Sequence, residues 1–395
     1  MKIKIIVWLF TLISVYCIGQ GTWTPKTNFS GNPRQGAFGF SINSDGYICT
    51  GAFPVQTDLR EYYTASNSWS VQTSFPGLGR YFARGFVIGT KAYVGTGWDG
   101  TTNYNDFWEY NSATNTWSVL ANVPGGLRHE AVGFSIGTKG YIGTGYDGGP
   151  NYYNDLWEYD PGANIWTPKA TFPGGAREGA VGFSIGSKGY IITGRGVGGF
   201  KNDTWEFDPV LNTWTPKTNF PGTARDDGFG FSIGGKGYFG TGQNSTTVFN
   251  DFWEYDPVLD TWTPLTNFPG GTRTYATGFS IGSKGYAGLG YFGINNNDFW
   301  EFSPSALGIE ENISENSPTF YPNPFTLETN LKSDTQLKNV ILMIYNSQGQ
   351  LVKKMDHIEG KEIKITRDDM QSGIYFVLLR HDAGMFNVGK LIISE

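Results

Sequence analysis

Between residues 22 and 303 the chain is a succession of short apolar runs in which large and small or polar side chains alternate, each bounded by Gly, Pro, Asn or Asp. A period of two predicts half-buried strands, and the bounding residues predict tight turns. In one well-defined stretch the runs are Ala131 to Ile136, Gly140 to Thr144, Asp155 to Asp160 and Ile165 to Ala170, which predicts four consecutive antiparallel strands. The first strand of this unit has five counterparts, and small residues recur in it at alternate positions: Ala37 and Gly39, Ala83 and Gly85, Ala131 and Gly133, Ala180 and Gly182, Gly228 and Gly230, Ala276 and Gly278. Alternation leaves Phe40, Phe86, Phe134, Phe183, Phe231 and Phe279 on the opposite face. A phenylalanine of one unit can then pack over a glycine of the next.

The units repeat at a nearly constant step. Trp23, Trp69, Trp117, Trp166, Trp214 and Trp262 are spaced 46, 48, 49, 48 and 48 residues apart, a period that marks an array of supersecondary units. A second series, Trp108, Trp157, Trp205, Trp253 and Trp300, falls in the third strand, where only the first copy departs by having Arg60. The two ends are complementary: Thr22-Trp23-Thr24-Pro25 reads as a fourth strand with no unit before it, and the last copy stops after its third strand at Phe302. The N-terminal strand should therefore complete the last sheet and close the ring, leaving no exposed edge. The predicted fold is all-β, a six-bladed β-propeller over 20–303. A Ser/Asn/Glu-rich stretch, 304–319, reads as a linker. Beyond it Val340 to Tyr345, Gln350 to Lys354, Ile363 to Thr366, Ile374 to Leu379 and Leu391 to Ser394 predict a small β-sandwich over 320–395.

Arg128, Gly143-Thr144-Gly145, Trp157-Glu158-Tyr159 and Trp166 follow the order of the kelch repeat, and the chain from Trp23 to about Phe302 resembles that family. The adjacent glycine pair usual there is replaced by Gly-Thr-Gly, itself varied by Cys49, Ile192 and Leu289. The resemblance implies a propeller but no single chemistry, because propellers host many functions. Tyr321-Pro322-Asn323-Pro324-Phe325, Ile344-Tyr345-Asn346 with Gly349, Ser372-Gly373-Ile374-Tyr375 and Gly389-Lys390-Leu391-Ile392-Ile393 resemble the C-terminal sorting domain of type IX secretion substrates in Bacteroidetes-type bacteria. That resemblance implies handling by the type IX machinery, passage across the outer membrane of a Gram-negative cell, and frequent removal of the domain, leaving cargo released or held at the surface.

Residues 1–19 agree with export: a basic start, the apolar run Ile5 to Ile13 and small Gly19 read as a cleaved signal peptide, too short to remain as a membrane anchor. Lipidation of Cys17 is disfavoured by bulky Tyr16 before it. The net charge of −6 becomes −8 once Lys2 and Lys4 leave with the leader, which disfavours nucleic acid as a partner. Cys49 would then stand alone, so no intrachain disulfide is expected. His129 is the only propeller histidine. Kelch-like copper oxidases need several imidazoles and a cysteine crosslinked to tyrosine, so that chemistry is disfavoured; no metal-binding, phosphate-binding or nucleophile-elbow motif is present, and no cofactor is expected.

Two kinds of candidate remain. Arg34, Arg80, Arg128, Arg177, Arg225 and Arg273 recur once per blade, as do Glu61, Glu109, Glu158, Glu206, Glu254 and Glu301, and such regularity predicts architectural pairing of Arg with Glu or an aromatic ring. The Asn-Asp pairs opening most third strands read as turn formers rather than calcium ligands. Ligand contacts are expected where the repeat breaks, on the face carrying Trp98, Asp99, Tyr146, Asp147, Arg195 and Tyr291, with His129, Glu130, Asp226 and Tyr275 just inside the rim. Aromatic rings beside carboxylates and amides suit a glycan, whose C–H faces stack while its hydroxyls take polar partners. Two alternatives are an adhesion module binding a surface protein, and an enzyme on acidic sugars, similar to kelch epimerases of sialic acid, with the arginine ring taking the carboxylate and His129, Glu130 or Asp226 serving as acid and base.

Overall fold

The computed structural model describes residues 21–304, 319–346, 350–381 and 384–394. The expected leader with Cys17, and all but the ends of the expected linker, lie outside them. Six antiparallel four-stranded sheets follow one another along the chain, and their innermost strands are Phe38–Ile42, Arg84–Ile88, Val132–Ile136, Val181–Ile185, Phe229–Ile233 and Thr277–Ile281. The sixth sheet takes its outermost strand from the N-terminus: Thr22–Pro25 pairs with Phe299–Ser303, with Trp23 opposite Phe302. Trp23 also packs edge-on against Phe252 and Phe268, at 5.0 and 5.1 Å between centroids. Closure thus rests on both backbone pairing and a half-buried indole.

In the third blade the strands are Val132–Ile136, Lys139–Gly143, Leu156–Asp160 and Ile165–Pro168. The second ends one residue earlier than the alternation predicts because Thr144 is left-handed, with φ of 57°. The alternating small residues are required by packing. A Cβ on Gly182 would come within 2.8 Å of Val132 Cβ, one on Gly237 within 2.6 Å of the Phe183 ring, and one on Gly133 would strike the Gly85 carbonyl oxygen. Each blade leans on the next in this way, so the sheets approach closely only where side chains are absent.

The repeated arginines are fully buried; each lies over an aromatic ring, one of the two pairings expected, while the ionic partner is aspartate rather than glutamate. Arg34 pairs with Asp58, Arg80 with Asp106, Arg128 with Asp155, Arg177 with Asp203, Arg225 with Asp251 and Arg273 with Asp298. Each also donates to a carbonyl of the left-handed residue sixteen positions on, as Arg177 Nη1 does to Thr193 O at 2.7 Å. The third-strand tryptophans bind the same carboxylates: Trp108, Trp157, Trp205, Trp253 and Trp300 donate their indole N–H to Asp106, Asp155, Asp203, Asp251 and Asp298. In the first blade Arg60 replaces the indole with its own N–H, Nε lying 3.0 Å from Asp58 Oδ2. The repeated glutamates, in mid-strand, accept instead from tyrosines of the second strand, as Glu158 does from Tyr141.

The C-terminal region is one antiparallel sheet of five strands, Thr319–Tyr321, Glu328–Asn346, Leu351–Thr366, Gly373–His381 and Gly384–Ile393, around a core that includes Phe325, Leu331, Leu342, Ile365, Val377 and Leu391. The second and third of the strands expected there merge into one. Asn339, His357 and Gly360, with positive φ, sit in or beside register shifts that bend two long strands rather than ending them.

Candidate functional site

Where each innermost strand begins, one residue holds a left-handed backbone: Gly36, Phe82, Glu130, Gly179, Asp227 and Tyr275. They are joined around the axis by backbone hydrogen bonds, Gly36 N to Tyr275 O, Phe82 N to Gly36 O, Gly179 N to Glu130 O, Asp227 N to Gly179 O and Tyr275 N to Asp227 O, at 2.7–3.2 Å. Four of the six carry side chains in a conformation that costs about 1–2 kcal/mol each, and such residues gather at functional sites. The ring sits at one end of an axial cavity of about 250 Å³ lined by the six innermost strands. An outer tier, Gln35, Tyr81, His129, Glu178, Asp226 and Thr274, precedes the ring residues, and bridges Ala52, Trp98, Tyr146, Arg195, Gln243 and Tyr291 respectively.

The mouth so formed has two halves. On one, rings run in contact: Phe53 with Tyr81, Tyr81 with Trp98, Trp98 stacked on His129 at 5.4 Å, His129 against Tyr146, and Tyr146 stacked on Tyr152 at 4.6 Å. Phe82 and Tyr275 meet at 4.8 Å across the side-chain-free Gly36. Trp98 and Tyr146 are half-buried. On the other half stand Glu130, Glu178, Asp226 and Asp227, all buried. Arg195, itself half-exposed, binds Glu178 and lies 3.4 Å from Asp226 Oδ2. Gln243 Nε2 is 3.3 Å from both Asp227 Oδ2 and the Tyr275 hydroxyl.

Burial raises all four carboxyls above the usual range. Glu130 is pushed well up by desolvation and then by the charges of Glu178 and Asp226, and Asp227 by desolvation and then by Glu130 and Asp226. Asp226 rises to about 6 by desolvation, and Glu178 rises by desolvation against the pull of Arg195. His129 is pushed down to about 4 by burial and then by Arg84, so it is neutral at ordinary pH. Its Nδ1 lies 2.6 Å from Asn103 Oδ1, which makes Nδ1 the protonated nitrogen. Asp226 Oδ1 and Oδ2, Asp227 Oδ1, Gln35 Oε1 and Thr274 Oγ1 are buried without a hydrogen-bond partner.

Three family models match the chain: the KLHDC2/KLHL20/DRC7 Kelch-repeats domain over residues 121–287, the Kelch motif over 79–124, and the secretion system C-terminal sorting domain over 319–394. The chain is a kelch-repeat propeller with a C-terminal secretion sorting domain. The solved structure titled "Structure of YjhT" is similar over 69% of this chain and 95% of its own, at 18% identity and a TM-score of 0.61, a likeness of fold. No curated protein matches. A kelch propeller joined to this sorting tail points to a secreted or surface-displayed binding module of a Bacteroidetes-type bacterium. Among the described residues no helix is long and apolar enough to cross a membrane, and no group of three or more His, Cys, Asp or Glu could hold a metal ion.

Of the residues singled out in the sequence, the kelch propeller brings Trp98, Tyr146, His129, Glu130, Arg195, Asp226 and Tyr275 to this mouth. Asp99 and Asp147 instead serve their own loops: Asp99 accepts from Thr101, Thr102 and the Tyr104 hydroxyl, Asp147 from Gly149 and Asn151. Tyr291 stays exposed in a short hairpin with Phe292. Tyr81, Phe82, Asn103 and Arg84 were missed. Arg84 carried a signal, since its equivalents are Phe38, Val132, Val181, Phe229 and Thr277.

Proposed function

We propose that the protein is an exported glycan-binding module whose ligand rests on the mouth of the propeller. The observation that carries this reading is the juxtaposition of half-buried stacked rings with buried, donor-hungry oxygens of Asp226, Asp227 and Gln35. A buried acceptor without a donor costs about 1–3 kcal/mol, and sugar hydroxyls are donors carried on a ring whose C–H face packs on aromatics. The enzymatic reading on acidic sugars would have to take its carboxylate with Arg84 or Arg195 rather than with the repeated arginines. The repeated arginines are buried on aspartates, and the mouth itself is rich in acids. A surface-protein partner is the second reading, favoured by exposed Phe53, Phe292 and Ile294 in loops of the first and last blades, neighbours across the closure. A glycan array with the wild type and with Trp98→Ala and Tyr146→Ala separates the two: signals lost in both variants support the mouth, and signals unchanged in both remove it. An empty array with capture of a host surface protein would favour the second reading.

A further inference from the structure

The two glycines of the ring, Gly36 and Gly179, lie three blades apart and so face each other across the axis. Gly36 is flanked by Phe82 and Tyr275, and Gly179 by Glu130 and Asp227. Rings therefore stand on one side of the opening and acids on the other. Carboxyls outnumber cations there, and burial favours the protonated form of Glu130, Asp226 and Asp227 until a positive charge reaches them. Arg195 is shared between Glu178 and, at 3.4 Å, Asp226. Arg84, half-buried at the head of its strand, donates to its neighbour's Ala83 carbonyl and feels Glu130 and Asp227 without forming an ion pair with either. Four carboxyls thus face two guanidiniums. Asp226 Oδ1 and Asp227 Oδ1 are buried with no hydrogen-bond partner and Asp226 Oδ2 has only the 3.4 Å ion pair to Arg195, while Gln35 Oε1 and Thr274 Oγ1, in the first and sixth blades, are likewise buried without a partner.

A neutral hydroxyl supplies one hydrogen and no charge. An ammonium supplies up to three hydrogens and a positive charge beside which a buried carboxyl can ionise, and an aromatic face attracts it from the other side. We infer that the group seated at the mouth is an ammonium carried by an amino sugar, held between the carboxyls of Glu130, Asp226 and Asp227 and the rings of Phe82 and Tyr275. The carrier rests on the glycan reading above; the ammonium does not.

The test is calorimetric titration of the full chain, at mildly acid pH, with a glucosamine oligomer, its N-acetylated counterpart of the same length, and n-butylammonium. The amine oligomer should bind at least about tenfold tighter than the acetylated one, and Asp227→Asn or Glu130→Gln, each checked for an unchanged melt, should abolish that preference. Two variants are named so that a folding defect in one leaves the other informative. Equal or tighter binding of the acetylated oligomer would overturn the ammonium and leave the glycan reading standing. Binding of n-butylammonium alone would keep the ammonium and remove the sugar, and silence from all three probes would overturn the inference.

Discussion

Replacing Arg177 by alanine should cost the propeller about 4 kcal/mol. The guanidinium is fully buried and makes a two-pronged contact with Asp203, at 2.6 and 2.8 Å. It donates to Thr193 O at 2.7 Å, to Gly175 O at 3.2 Å and to Gly174 O, and lies 4.9 Å from the centroid of the Phe172 ring. Removing one member of a buried ion pair costs about 3–5 kcal/mol. The lower end applies, because Asp203 keeps a quarter of its side chain exposed and can rehydrate. Three carbonyls that lose a charged donor add about 1 kcal/mol or slightly more between them, since water can enter from the Asp203 side. For a domain of this size 4 kcal/mol corresponds to a fall of about 10 °C in Tm. Tryptophan fluorescence reads the propeller selectively, because every tryptophan except Trp8 of the leader lies within residues 23–300. Asp203→Ala alone and the double variant complete a cycle whose coupling should exceed about 2 kcal/mol. A loss below about 1 kcal/mol for Arg177→Ala would refute the reasoning and return the arginine ring to the list of ligand sites.

Three further outcomes follow from the same geometry. Deleting residues 21–28 removes the strand opposite Phe299–Ser303 together with Trp23, and should lower the propeller Tm by well over 10 °C; a melt unchanged by the deletion would mean that the ring does not depend on that strand. Arg60→Trp should change stability by less than about 1 kcal/mol in urea unfolding, because an indole N–H can take over the bond to Asp58 as it does in the other five blades; a large loss would show that the Arg60 charge itself is needed. Asp226, whose pKa is raised to about 6 by burial, stabilises the fold only while protonated, a contribution complete below about 4 and lost as pH rises through about 6. Asp226→Asn should therefore gain on the wild type over that window, by roughly 1–3 kcal/mol, with Asp227, Glu130, Glu178, Arg195 and Arg84 unchanged around it; parallel pH profiles of Tm would contradict this.

The sixfold fold was legible because its signals are periodic. A step of about 48 residues, a period of two and complementary ends leave one arrangement that buries every edge. The partner of the repeated arginines was not legible from periodicity, since Asp155 and Glu158 recur equally well. Position decides it: Asp155 lies beside the loop end where Arg128 enters, whereas Glu158 sits three residues on, opposite Tyr141. In the C-terminal region Asn339, His357 and Gly360 bend long strands instead of ending them, because bulges and turns draw on the same left-handed backbone. The mouth was half legible. Its irregular residues stood out against the repeat, yet the left-handed ring that gathers them is made of six positions with little in common beyond their place, Gly36, Phe82, Glu130, Gly179, Asp227 and Tyr275. Departure from the repeat misled at Asp99 and Asp147, whose side chains close their own turns.

The most direct test of the glycan reading is a calorimetric titration of the oligosaccharide that scores highest on the array, with wild type and Asp226→Asn compared side by side. A ligand donating to the buried Asp226 oxygens should lose at least about tenfold in affinity to the variant while the melt shows no loss of fold. Equal affinity in the two proteins would place the ligand elsewhere and contradict the account.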